Sequence, residues 1–159
     1  MNKYLFIALC SLGLSVARSA PAQEVKAAPP AAAVAYDAEL AKSLGGDERG
    51  MRAYVLVILK AGPNKIPAGP AREAMFKGHF ANINTLAAEK KLALAGPLDS
   101  AVGWRGLFVM ATPDIEVARS YVAADPVIIS GEMVAEYHKF YGSAALMTIN
   151  DVHARVAKK

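Results

Sequence analysis

The sequence has one cysteine, Cys10, and it lies in a stretch that reads as a secretory signal. Residues 1–22 place Lys3 ahead of an apolar run over 4–16, too short to anchor a chain in a bilayer, and then the small residues Ala20-Pro21-Ala22 that a signal peptidase reads. Removal of this segment leaves about 137 residues and no cysteine. Disulfides, a thiol nucleophile and thiolate metal sites are then excluded. A lipid anchor on Cys10 is disfavoured because Leu9 stands where a small residue is expected. The expected location is periplasmic or secreted, with no stable membrane anchor after cleavage.

Excess charge is also scarce. The whole chain carries 18 basic and 14 acidic side chains, a net +4. Lys3 and Arg18 leave with the signal, which brings the balance to 16 against 14, or +2. The basic residues are scattered, and that is no footprint for a nucleic acid. Histidine is equally sparse. His79, His138 and His153 are far apart and make no metal-ligand spacing. There is no phosphate-binding loop and no GxGxxG, so neither a metal nor an organic cofactor is expected.

What is present is a regular alternation of elements. Residues 23–52 begin with an Ala/Pro-rich spacer that has little to bury, followed by a short helix over 36–44 that ends at Gly45-Gly46. Residues 53–60 (AYVLVILK) are β-branched and apolar, as in a strand covered on both faces. A loop over 61–69 leads to a helix that starts at Pro70, a residue suited to the first helical position, and runs to about residue 90. Phe76, Phe80, Ile83 and Ala87 predict its buried stripe. Gly78 interrupts it and suggests close approach by a backbone or a ligand, since glycine costs a helix interior about 1 kcal/mol relative to alanine. A short strand over 92–95 stops at Gly96-Pro97, and the next strand spans 104–111. Thr112-Pro113 caps a second helix running to residue 124, and Asp125-Pro126 breaks it. One helical turn over 127–130 and a last strand over 132–141 follow. The strand turns Met133, Ala135, Tyr137 and Lys139 to one face and Val134, Glu136, His138 and Phe140 to the other. Residues 143–158 form a helical tail.

The order β-α-β-β-α-β over residues 53–142 predicts an α+β, ferredoxin-like domain, an antiparallel sheet with two helices on one face. The bare face needs cover, and a second copy of the chain is the economical one, so a homodimer is expected.

Few residues can carry chemistry. His79 is either a core histidine bonded to backbone or water, or a general acid/base, a role that suits a side chain with a reference pKa of about 6.5 when a carboxylate orients it. Asp125 is the carboxylate that can reach it, because the end of the second helix and the start of the first can share a sheet edge. It is equally a common way to leave a helix before proline. Ser100 and Ser130 are available hydroxyls with nothing around them that marks activation. Lys60 and Arg105, at strand ends, either face solvent or hold an anionic substrate group. Trp104 and Tyr141 are either sheet aromatics or pocket walls.

Two stretches, GHFANINTLAAEKKLALAGP (78–97) and RGLFVMATPDIEVARSYVAADPVIISGEM (105–133), share an order of signals: a histidine near the start of a helix, L-A-x-A-G-P at strand two, and A-D-P-x-x-x-x-G after helix two. This pattern resembles the YciI-like (YCII-related) family over about residues 53–141, and the Y-G-S-A-A-L at 141–146 resembles exported variants. The resemblance implies a ferredoxin-like fold that dimerises through its sheets into an α+β barrel, and a pocket whose proposed catalytic histidine and aspartate match His79 and Asp125. The family's reactions are mostly unassigned. One branch resembles an enzyme that eliminates chloride from a chlorinated hydroxyquinol, and related dimeric barrels include muconolactone isomerases and small monooxygenases. The expected function is therefore an exported, cofactor-independent small-molecule enzyme of lyase, isomerase or dehydrochlorinase type. His79 and Asp125 would be its catalytic pair, with Lys60, Arg105 and Tyr141 as candidate substrate contacts. The competing expectation is a non-catalytic small-ligand-binding or stress-related accessory protein of the cell envelope. A weaker one gives the tail, residues 143–159, a protein-interaction role.

Overall fold

The computed structural model describes residues 35–99 and 102–158. The proposed signal at 1–22 and most of the spacer lie outside the described residues. The compact unit begins at Tyr36, with helix α1 (Ala38–Ser43) capped by the Asp37 carboxylate, which accepts from the Leu40 N–H at 2.9 Å.

Four strands, β1 (Met51–Ala61), β2 (Leu92–Pro97), β3 (Trp104–Met110) and β4 (Met133–Ser143), form one sheet in the order β2-β3-β1-β4. Every neighbouring pair is antiparallel. β1 and β2 therefore run the same way with β3 between them, joined by the crossover helix α2 (Pro70–Ala88). β3 and β4 are joined by α3 (Ile115–Ala123) and the single turn α4 (Pro126–Ile129). This is the ferredoxin-like α+β topology. β2 continues through Gly96-Pro97 instead of stopping before them, which an edge strand tolerates because proline's missing N–H can face away from the ladder.

The helices cover one face. Val55, Val57 and Leu59 of β1, Phe108 and Met110 of β3, and Ala118 and Val122 of α3 build the main core. Complete burial of side chains of the Val and Leu size contributes about 1.5–3 kcal/mol each. Asp114, not Thr112-Pro113, is the N-cap of α3. Its carboxylate accepts from the Glu116 N–H at 2.7 Å, while Thr112 supports the Asp114 N–H at 3.2 Å.

The stripe of α2 also differs from the predicted one. His79 and Leu86 are buried, Phe76 and Ile83 pack against the core, and Phe80 is 59% exposed. Two stripes one residue apart satisfy the helical period equally, and packing between helices chooses the one that contains the histidine.

The opposite face is not bare. Tyr54, Ala93 and Val109 are buried there beneath Leu146 and Met147, which belong to a 3₁₀ turn (Ala144–Thr148) leading to α5 (Ile149–Val156). The Tyr54 hydroxyl donates to the Ser143 carbonyl at 3.0 Å, and the Asn150 amide donates to the Leu92 carbonyl at 2.8 Å. The chain's own C-terminal segment thus covers part of the face that was expected to await a second copy. Leu56, Leu94 and Leu107 remain half-buried on it.

Candidate active site

Residues 78–79 and 125–126 meet where α2 passes α4. A Cβ on Gly78 would lie 2.9 Å from Pro126 Cγ. The glycine is there for close approach, and what approaches is the proline ring of α4. That contact sets the residue before the proline beside the residue after the glycine. Asp125 is extended, as the residue before a proline prefers, and it caps α4 by accepting from the Val127 N–H at 3.1 Å.

Asp125 is fully buried and His79 is 7% exposed. The Asp125 carboxylate oxygens lie 2.9 and 2.8 Å from His79 Nδ1, and the Asn82 side-chain amide donates to Oδ2 at 3.1 Å. The Asn82 amide and the Val127 N–H already donate to this carboxyl, as suits an ionised form that only accepts. Nδ1 therefore carries the ring proton, and in the neutral ring Nε2 keeps a lone pair. The imidazole is also fixed by rings. Phe108 stacks on it at 6.0 Å, Phe76 meets it edge-on at 6.1 Å, and Phe80 tilts against it at 5.4 Å.

His79 lines a cavity of about 410 Å³ between α2 and the sheet, within the range of small-molecule sites. Its walls are mainly Leu59, Phe76, Phe80, Ile83, Phe108 and Met133. Arg105 reaches it by an irregularity in β3. Leu59 pairs with Gly106, but the next residue, Lys60, pairs with Trp104, leaving Arg105 as the extra residue of a β-bulge. In a regular ladder Arg105 and Gly106 would point to opposite faces. The bulge breaks that alternation, and both residues line the cavity, Gly106 from a buried position and Arg105 from an exposed one.

The structure thus brings His79, Asp125 and Arg105 to one place, Asp125 behind the imidazole and Arg105 at the wall. Lys60 and Tyr141 lie elsewhere. The Lys60 ammonium pairs with Glu136 at 3.0 Å outside the cavity, because the alternation of β1 sends it to the face opposite Leu59. Tyr141 sits at the far end of β4, donating its hydroxyl to Asp47 and accepting from Arg49 at 3.2 Å. The hydrogen bond to Asp47 raises the Tyr141 phenol above its ordinary range and lowers the Asp47 carboxyl below its own. The Ser130 hydroxyl is engaged with Met75 Sδ and the Val127 carbonyl at 3.1 and 3.3 Å. Ser100 lies outside the described residues. Asn82 was missed in the sequence, although its spacing of three from His79 on one helix face was a usable signal.

Among the described residues no group of three or more His, Cys, Asp or Glu is arranged to hold a metal ion. No described helix is long and apolar enough to cross a membrane.

No family model matches the chain, and no curated protein matches it. Among solved structures it is similar to 5-chloro-2-hydroxyhydroquinone dehydrochlorinase (TftG) from Burkholderia phenoliruptrix AC1100 in complex with 2,5-dihydroxybenzoquinone. The identity is 19% and the TM-score 0.43, over 55% of this chain and 92% of that one. A likeness at this level decides neither family nor reaction.

Proposed function

We propose that this protein is a YciI-like small-molecule enzyme in which His79 moves a proton, in a lyase, isomerase or dehydrochlorinase type of reaction. The observation that carries this reading is the imidazole at the wall of an apolar cavity with Nδ1 held by a fully buried carboxylate. Nε2 takes a proton from an acidic C–H or O–H of the bound substrate. The electron pair left behind either expels a leaving group or shifts along the ring. The imidazolium, stabilised by Asp125, returns its proton to a second atom or to the solvent. A positioned acid/base of this kind contributes about 10²–10⁴-fold in rate.

The test is a screen of enolisable and halogenated ring compounds, followed by His79→Gln and Asp125→Asn on whatever is converted. Both variants should lose about 10²–10⁴ in kcat while remaining folded. Nitrogen NMR should show the Nδ1–H tautomer of His79 in the parent and a mixture in Asp125→Asn. Full activity in His79→Gln sinks the reading. A ligand that binds and is recovered unchanged makes the protein a binding module instead.

Export and assembly complete the proposal. Cleavage after Ala22 is checked by the mass of the protein recovered from a producing cell. Pairing of two copies through the uncovered part of the outer sheet face, around Leu56 and Leu107, is checked by sedimentation of Leu107→Lys, which should be monomeric where the parent is dimeric.

A further inference from the structure

Among the described residues that line the cavity there is one guanidinium and no carboxylate: only His79 and Arg105 are polar, and the rest are aliphatic or aromatic. Asp125 is screened from it by the imidazole to which it is bonded. Most of the other arginines of the domain are occupied. Arg52 donates to the Leu44 and Ala111 carbonyls, Arg72 pairs with Glu132 at 2.6 Å, and Arg119 pairs with Glu116 at 3.3 Å. Among the described residues no carboxylate pairs with Arg105. Glu132 feels its charge, but one oxygen of Glu132 is bonded to Arg72 and the other to the Ile66 N–H. The fork is free, and Arg105, an exposed residue, stands where the β3 bulge brings it to the rim of the cavity. The walls add a second constraint. Phe80 stands 59% exposed beside the imidazole, with Phe76 and Phe108 on its other sides. These rings offer faces and edges for a flat partner.

We propose that Arg105 is the anion anchor of this cavity and that its ligands are planar, ring-bearing organic acids, bound as anions with a charged oxygen on the guanidinium. Arg105 sets specificity, and His79 need not react for it to do so. A carboxylate or an ionised enol presents the acceptor oxygens that a planar guanidinium binds in parallel. A neutral ring of the same shape leaves the arginine without a partner. The proposal rests on the same cavity as the proposed function and not on the proton transfer.

The experiment uses benzoate, 1-naphthoate and their uncharged amides, titrated into the isotope-labelled protein and read from the signals of His79, Phe76 and Phe108. The acids should produce saturable shifts at these residues and bind about tenfold or more tighter than the amides. Arg105→Gln should bring the acids down to the level of the amides, and Arg105→Lys should retain an intermediate affinity. Added salt should weaken the acids and leave the amides alone. Equal binding of acids and amides overturns the proposal, as does unchanged acid binding in Arg105→Gln or the absence of saturable shifts with either acid. The two proposals fail separately. Acid binding without conversion of any substrate leaves the anchor standing, and turnover of neutral rings that ignores Arg105→Gln leaves the proton transfer standing.

Discussion

Two histidine–carboxylate pairs close at 2.8 Å on opposite sides of one sheet. His79–Asp125 lies on the helix side, with side-chain exposures of 9% and 0%. His138–Glu136 lies on the other side, with 49% and 47%. The distance is the same and the settings differ in every other respect. Asp125 is held by Asn82 and by the Val127 N–H, so the imidazole meets a fixed acceptor in a cavity wall. Glu136 is shared with Lys60, and its carboxyl is lowered first by that hydrogen bond and only then by His138. A short contact between two ionisable groups does not define a site. Burial, a second layer of donors and an adjoining cavity do.

The contrast is broken most directly by removing each carboxylate. Asp125→Ala leaves the His79, Asn82 and Val127 donors without an acceptor in a dry interior and should cost about 3–5 kcal/mol in urea denaturation. Glu136→Ala should leave the urea midpoint where it is, since water replaces both of its partners. Equal losses in the two variants would mean that burial does not separate the pairs.

Glu132 sharpens the comparison as a third carboxylate that is buried but has no histidine. It ties the loop over residues 62–69 to α2 by accepting from the Ile66 N–H and from Arg72, both at 2.6 Å. These bonds, the backbone one first, hold its carboxyl below the ordinary range of a glutamate, although burial alone pushes it up. The sign follows from the depressed folded value. The stabilisation is complete above the unfolded carboxyl range and is lost as pH falls through the folded value. Glu132→Gln should therefore cost about 1–3 kcal/mol at neutral pH. The difference from the parent should shrink as pH falls below about 4.5. Thermal midpoints between neutral and acid pH measure both.

Gly78→Ala acts on the geometry of the buried pair more than on stability. Alanine gains about 1 kcal/mol of helix propensity, and displacing the Pro126 ring costs about 1–3 kcal/mol. The net change should be small and unfavourable, while Asp125, bonded to the proline, moves away from Nδ1. The tautomer mixture of His79 by nitrogen NMR is the readout, and an unchanged tautomer with an unchanged midpoint would show that the proline ring yields freely.

Much of this arrangement was legible in the residues. The alternation of β-branched runs with helical periods specifies the ferredoxin-like order, because each period states which face an element buries. Gly78-His79 and Asp125-Pro126 each announce a local constraint, and the fold's connectivity brings them together. Three features were not legible. The choice between the Phe76–Phe80 and Phe76–His79 stripes depends on what packs against α2. The bulge that brings Arg105 to the cavity rim is a register slip between strands far apart in sequence, with no local signal. The cover that Leu146 and Met147 lay over Tyr54 needs the tail's docking site, which amphipathic spacing does not name. Lys60 and Tyr141 show the same limit from the other side: polar residues in apolar strands find partners, here Glu136 and Asp47, that only the register reveals.

The smallest effect tests the exposed pair itself. Glu136 serves Lys60 and His138 together, and all three are open to water, so the attraction between them is screened over about 8 Å at physiological salt. Glu136→Gln removes the charge and keeps the shape. Two consequences should follow: no measurable change in the urea midpoint at physiological salt, and a small loss that emerges only as the salt is lowered. Ligand shifts at His79 and Phe108 should be identical to those of the parent, because the sheet separates the two pairs. If Glu136→Gln altered ligand binding in the cavity, the two faces would be coupled through β1, whose Leu59 lines the cavity while its neighbour Lys60 holds Glu136, and the outer pair would have to be counted as part of the site.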